Sequence, residues 1–148
     1  MNLEVSLENN DTETSEVIEI YKATGWSSAE KPELLIPALK NSDSIVTARM
    51  SGKLVGIGNA LSDGYLVVYY PHMLVHPEHH GKGIGRAMME CLQQKYASFH
   101  QQILVAGGKA IEFYKSLGFK RAETARQIAA IFHFTLEDGE LHSAFAEI

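Results

Sequence analysis

Only one cysteine, Cys91, occurs in the 148 residues. An internal disulfide is therefore impossible, and a reducing, cytoplasmic setting is expected. Basic residues are also scarce. Thirteen Lys and Arg stand against 18 Asp and Glu, a formal net charge of -5. A chain of that sign is a poor general binder of nucleic acid, so any hold on a polyanion has to be local. No apolar run is long enough to span a bilayer, and Met1–Asp11 is polar and acidic with no signal-peptide pattern, so no membrane partner is expected. Repeats, low-complexity stretches and linkers are missing, and the length suits one domain, 1–148, with a full core. Two common phosphate-loop patterns are missing as well. There is no Gly-x-x-x-x-Gly-Lys-Ser/Thr, and Gly81 and Gly83 are followed by Arg86 where Gly-x-Gly-x-x-Gly needs its third glycine.

What is present centres on residues 75–86, Val75-His76-Pro77-Glu78-His79-His80-Gly81-Lys82-Gly83-Ile84-Gly85-Arg86. The apolar run Leu66–Val75 leads in, and an amphipathic pattern leads out. A strand is thus expected to end in a glycine loop that opens a helix. Glycines 81, 83 and 85 leave backbone N–H groups uncovered, and the first helical turn adds unpaired N–H groups and the positive end of the helix dipole. Together these make a socket for phosphate oxygens.

Along the rest of the chain, Leu3, Val5 and Leu7 alternate as in a strand. Asp11 and Thr12 read as helix caps, and Val17, Ile20, Tyr21 and Thr24 recur at helical spacing until Gly25. Trp26-Ser27-Ser28 is a loop, and Pro32–Lys40 is helical with Pro37 expected to split it. Ser44–Met50 and Leu54–Leu61 are strands, and Asp63-Gly64 is a tight hairpin. Tyr65–Val75 is a long strand in which Pro71 marks a bulge or an unpaired stretch. Gly83–Ala97 is a helix with the stripe Ile84, Ala87, Met88, Cys91 and Leu92. Gln102–Ala106 is a strand, Lys109–Ser116 a helix closed by Gly118, and Phe119–Ala122 and Ile128–Phe134 are strands. The order β-α-α-β-β-β-α-β-α-β-β is a mixed α/β domain with hairpins in the middle.

This pattern resembles the GNAT acyltransferase superfamily. In that family a strand ending in Val-x-Pro precedes Gln or Arg, then x-x-Gly-x-Gly or Ala. Val75, Pro77, Gly83 and Gly85 match, and His80 stands in the Gln/Arg place. Downstream, Ala110, Phe113-Tyr114 and Leu117-Gly118-Phe119 resemble the family's second cofactor motif. The resemblance spans roughly residues 3–135, leaving a tail 136–148. It implies a central mixed sheet splayed at the fourth strand and flanked by helices. It also implies transfer of an acetyl group from acetyl-coenzyme A to a primary amine, by direct attack in a ternary complex. The alternative from another class is a non-catalytic acyl-coenzyme A binding or sensor module.

The resemblance assigns the pyrophosphate to the loop His80, Gly81, Lys82, Gly83, Ile84, Gly85 and Arg86, where Lys82 and Arg86 add local positive charge. It assigns the pantetheine arm to the backbone of Met73, Leu74 and Val75, with Leu74 N–H toward the thioester oxygen. Tyr114 takes the family's place for the acid that protonates the departing thiolate, as amine acylation requires. Phe113 belongs to the same cofactor motif, although it also reads as a core aromatic. Gly107 replaces a common Asn, and Lys109 or water would compensate.

No acidic residue lies between Tyr65 and Val75, so that strand offers no carboxylate base. His72, near neutral in intrinsic pKa, is the candidate base there, or an exposed histidine at an irregularity. Trp26 and Tyr70 are candidates for the acceptor pocket, as is Asn59, with Asp63 and Tyr65 near the same edge. His76, His79 and His80 have no completing carboxylate or cysteine pattern, so no metal site is expected. Cys91 reads as core. The acceptor is a small-molecule or peptide amine, and a homodimer through a sheet edge or the tail Leu136–Ile148 is open.

Overall fold

The computed structural model describes residues 2–8 and 12–122. They fall in two compact units, Met1–Ile103 and Leu104–Ile148. In the first unit β1 (Leu3–Glu8) is followed by α1 (Thr14–Ala23), a 3₁₀ turn (Ser27–Glu30) and α2 (Pro32–Lys40). Then come β2 (Ser44–Met50), β3 (Lys53–Ser62), β4 (Val67–Tyr70) and β5 (Met73–Val75). A second 3₁₀ turn (Pro77–His79) leads to α3 (Ile84–Lys95), and β6 (Gln101–Leu104) follows. The strands form one mixed sheet in the order β1-β2-β3-β4-β6, with β5 also paired to β3.

Strand alternation sets the two faces of this sheet. Ile45, Leu54, Ile57 and Leu74 pack with Val17, Ile20 and Tyr21 of α1 and Leu35 and Leu39 of α2. On the other side α3 packs across β1, β2, β3 and β5 with Ile84, Met88, Met89 and Leu92 buried. Gly56 is what lets α3 come close, since a Cβ there would sit 2.6 Å from Met88 Sδ. Met89 is inside although the helical stripe passed over it, while Ala87 and Cys91 are only half-buried.

Several sequence expectations change. Asp11 lies outside the described residues, and the residue capping α1 is Glu13 rather than Thr12, with no side-chain cap bond. Pro37 does not split α2, which runs unbroken from Pro32 to Lys40. Its ring costs that helix only its own N–H bond, and its carbonyl still accepts from Asn41 N–H at 3.0 Å. The long strand is two strands, because the chain breaks at Pro71-His72. Residues 119–122 carry no strand pairing, so the strand expected at Phe119–Ala122 is absent there. The Ile128–Phe134 strand and the tail Leu136–Ile148 lie outside the described residues.

The two helices that end in a tyrosine-glycine-aromatic pattern end alike. At α1, Gly25 takes φ +76, Gly25 N–H donates to Lys22 O and Trp26 N–H donates to Tyr21 O, both at 3.1 Å. In the second unit α4 (Ala110–Ser116) does the same, with Gly118 at φ +94, Gly118 N–H to Lys115 O at 3.0 Å and Phe119 N–H to Tyr114 O at 3.1 Å. This is the left-handed glycine stop that satisfies the last carbonyls and folds the next residue back on the helix. It sets Trp26 against Tyr21, rings 6.2 Å apart, and Phe119 against Tyr114, rings 6.0 Å apart.

Candidate functional site

Where β4 gives way to β5, β3 keeps both strands by using different lengths of itself. Leu61 and Ser62 pair with Tyr69 and Val68, while Gly56, Ile57 and Gly58 pair with Val75, Leu74 and Met73. Between them Asn59 bridges the break. Its backbone N–H donates to His72 O at 3.1 Å, and its Oδ1 accepts from His72 N–H at 3.0 Å. Its Nδ2 donates to Ser42 Oγ at 3.0 Å. Pro71 has no N–H to offer a ladder, so the side chain of Asn59 replaces the lost regularity.

The ladder phase decides which backbone groups of β5 are open. His76 N–H donates to Val55 O at 2.8 Å, and Asn59 N–H donates to His72 O. In an antiparallel pair the bonded positions alternate, so Leu74 is bonded to Ile57 midway between. Leu74 N–H therefore points into the sheet, and its side chain, 2% exposed, lies in the core. The N–H and C=O groups of Met73 and Val75 point away from β3. The expectation that Leu74 N–H faces a ligand is thus corrected by register, and Met73 and Val75 hold the outward groups. Gly58 leaves room beneath, since a Cβ there would come within 2.8 Å of Met73 Cε.

At the end of β5 the loop turns on Gly81 at φ +76 and Gly83 at φ +79, a region where a Cβ is strained. Apart from the glycines and their chain neighbours, no atom of the described residues lies within 4 Å of where either Cβ would stand. Gly83 stands at the cap position of α3 and has no side chain with which to cap the first-turn N–H groups. Gly85 is within the helix and needs no special conformation, and the side chain of Ile84 is buried. Lys82 Nζ lies 3.5 Å from His79 Nδ1, and Arg86 pairs with Glu90 at 3.6 Å. His80 turns back, its Nε2 2.7 Å from Val75 O. Held so, it braces the loop on β5 instead of offering that nitrogen to an anion. His76 and His79 have ring centroids 5.9 Å apart, and among the described residues no three His, Cys, Asp or Glu side chains form a metal cluster.

Beside the break, three rings meet. The glycine stop of α1 brings Trp26 to 4.6 Å from the His72 ring, edge to face, and Tyr21 to 5.4 Å. Tyr21 Oη lies 2.7 Å from His72 Nδ1. Burial holds the His72 imidazole below its ordinary pKa and the Tyr21 phenol above its own. Trp26 is 36% exposed and forms the outer wall. The structure thus joins two residues that sequence singled out, Trp26 and His72, and adds Tyr21, which the helical stripe had marked only as core. The available signal was its hydroxyl, since a buried tyrosine needs a partner.

Tyr70 and Asn59 are placed otherwise than expected. Tyr70 is 4% exposed, its hydroxyl donating to Gln102 Oε1 at 2.7 Å and its ring 6.2 Å from that of Tyr96. It is a packed residue on the α3 side, and by alternation the half-buried Tyr69 faces the α1 side. Asn59, also 4% exposed, is engaged at both ends of its amide and works as the brace of the break rather than as a wall of a pocket. In the second unit Tyr114 is half-buried, its ring 5.0 Å from that of Phe113, and burial pushes its hydroxyl up to about 12. Lys109 is the residue capping α4.

A splayed β5 edge that runs into an open glycine turn and a helix start is an arrangement that can be compared with known proteins. A family model described as an acetyltransferase (GNAT) domain matches residues 41–121. The chain belongs to the GNAT acetyltransferase family. An uncharacterized N-acetyltransferase ycf52 of Pyropia yezoensis is 29% identical over 117 residues, covering 75% of this chain and 67% of that relative. A GNAT family acetyltransferase of Streptococcus pneumoniae TIGR4 superposes with a TM-score of 0.74 at 26% identity, over 83% of this chain and 91% of that one. The fold is also shared, at 12% identity and a TM-score of 0.65, with AAC(6')-Iy in complex with a coenzyme A bisubstrate analog, over 82% and 92% of the two chains.

Proposed function

We propose that the chain is an acetyl-coenzyme A dependent N-acetyltransferase acting on a primary amine, with both units parts of one domain. The observation that carries this reading is the run of open backbone groups from Met73 and Val75 through Gly81 and Gly83 to the start of α3. These residues fit the cofactor, because the two positive-φ glycines leave free the space a diphosphate needs. The bound thioester supplies an activated acetyl group and a thiolate leaving group. Met73 N–H meets the thioester oxygen and stabilises charge as it develops there. Val75 N–H holds the pantetheine arm in the manner of a neighbouring strand. Loop and first-turn N–H groups, with Lys82 and Arg86, neutralise the diphosphate. Phe113 and Lys109 contribute from the second cofactor motif.

Tyr114, protonated throughout the neutral range, gives its proton to the departing sulfur. The amine attacks directly, with no acyl-enzyme, from the side walled by Trp26 and His72. No helix among the described residues is long and apolar enough to cross a membrane. The lone Cys91 fits a reducing compartment such as the cytoplasm. A homodimer is tested by the mass in solution. For activity, the decisive experiment is a coenzyme A titration run beside an amine screen that follows free thiol. Saturable binding with thiol release from an amine is the expected outcome. Binding without turnover on any amine would favour the sensor module, and no binding would end both readings.

A further inference from the structure

The contact between Tyr21 and His72 sets the direction of a proton. Tyr21 is 0% exposed, and its hydroxyl has His72 Nδ1 as its one partner among the described residues, at 2.7 Å. A buried phenol that keeps its proton must give it to an acceptor. Burial raises the phenol and lowers the imidazole, so the pair is neutral on both sides. A neutral imidazole carries one N–H. If Nδ1 held it, two protons would lie in the 2.7 Å gap, or the phenolic proton would turn to a site with no acceptor.

We propose that Tyr21 is a positioning residue that fixes His72 as the Nε2–H tautomer, so that His72 meets the incoming amine substrate as a hydrogen-bond donor and not as the base. The proposal rests on the acetyltransferase reading and narrows it. Nε2–H recognises an oxygen, so the substrate class is an amine that carries an amide or hydroxyl oxygen near the reacting nitrogen. The amine proton then leaves to water. α1 packs against the 3₁₀ turn, β3 and β5 around the pair. The other titratable groups of these elements are Glu16, Glu19 and Lys22 on α1, Glu30 in the turn and Lys53 on β3. None of them contributes to the His72 shift, whose cause is burial.

The test is a long-range 1H–15N spectrum of the full chain labelled in its seven histidines, with His72→Gln used to assign His72. The expected result is an unprotonated, hydrogen-bonded Nδ1 and a protonated Nε2 above the His72 midpoint. In Tyr21→Phe the bond to the neutral form is gone, so the Nδ1 signal shifts and the midpoint rises by up to about one pH unit. A wild-type Nδ1–H form overturns the proposal, as does an unmoved Nδ1 signal in Tyr21→Phe. Should Tyr21→Phe fail to fold, the wild-type spectrum alone decides the tautomer. In turnover, His72→Ala raises the amine KM several-fold more than it lowers kcat, and His72→Gln, which keeps a donor, recovers part of that KM. Equal collapse of kcat in both variants restores the base and refutes the donor. Coenzyme A titrated into the same sample reads the enzyme assignment separately. Absent binding sinks that assignment, whereas binding with Nδ1–H sinks only the tautomer.

Discussion

Replacing Asn59 by Ala tests whether one side chain holds the break between β4 and β5. Three groups depend on it: the N–H of His72 at 3.0 Å, Ser42 Oγ at 3.0 Å, and the packing of a residue 4% exposed. In Asn59→Ala the His72 N–H loses its acceptor in a part-buried site. Leaving such a donor unmet costs about 1–3 kcal/mol, and the lost bond to Ser42 adds about 1 kcal/mol. The expected loss is therefore about 2–4 kcal/mol. It is read as a lower urea midpoint at unchanged slope. In a thermal melt, at about 3 °C per kcal/mol for a chain of this size, it is a fall of about 6–12 °C. Ser42→Ala gives the comparison, since it removes the Ser42 bond and leaves His72 satisfied, for about 1 kcal/mol. Asn59→Asp keeps the acceptor for His72 N–H and should recover most of that part of the loss. A loss under about 0.5 kcal/mol in Asn59→Ala would show that water reaches the His72 N–H, and the brace would be refuted.

Three further outcomes follow from the geometry. Gly83→Ala forces a Cβ at φ +79, which costs about 1–2 kcal/mol of stability, and it should lower coenzyme A affinity as well, because the new methyl fills the open space; unchanged affinity by calorimetry would remove the loop from the cofactor site. Tyr114→Phe should lower kcat about 100-fold or more with little change in coenzyme A binding. Since burial raises that hydroxyl to about 12, wild-type kcat should show no alkaline loss from Tyr114 at pH 9–10, and a loss there that Tyr114→Phe abolishes would contradict the assignment. Glu16 is held by Arg49 through two bonds of 3.0 Å, which lower its carboxyl below the ordinary 4.5. A lowered carboxyl stabilises above its unfolded pKa and loses that contribution as pH falls through the folded one. Glu16→Gln should thus cost under about 1 kcal/mol at pH 7, discounted for exposure, and progressively less as the pH falls below 4.5, as urea melts over that range would show.

The residues with strong local rules were read well from the chain alone. Ser44–Met50 came out at the boundaries expected, Pro32–Lys40 is helical but not split at Pro37, and the loop at 81–85 did take the positive φ that two of its glycines permit. Pro71 named the break, because a residue without N–H cannot continue a ladder whatever surrounds it. Local periodicity reached less far where one position has two uses. Tyr70 and Tyr69 are neighbours with the same side chain, and only the pairing of β4 decides which is core and which faces α1. α3 comes close to β3 because Gly56 leaves room for Met88, a contact between residues 32 apart in number.

By itself, then, the order of residues determined most of the elements as far as α4, the glycine turn, the proline break and the two glycine helix stops, since each depends on φ, on one N–H or on spacing within a few residues. The tertiary structure alone decided three things: that β5 turns Met73 and Val75 outward while Leu74 N–H faces Ile57, that Asn59 stands in for the missing ladder, and that Tyr21 meets His72. A one-residue change of register would reverse the first, and the other two join positions 13 and 51 apart. Such contacts are set by how strands and helices come together, which no local pattern encodes.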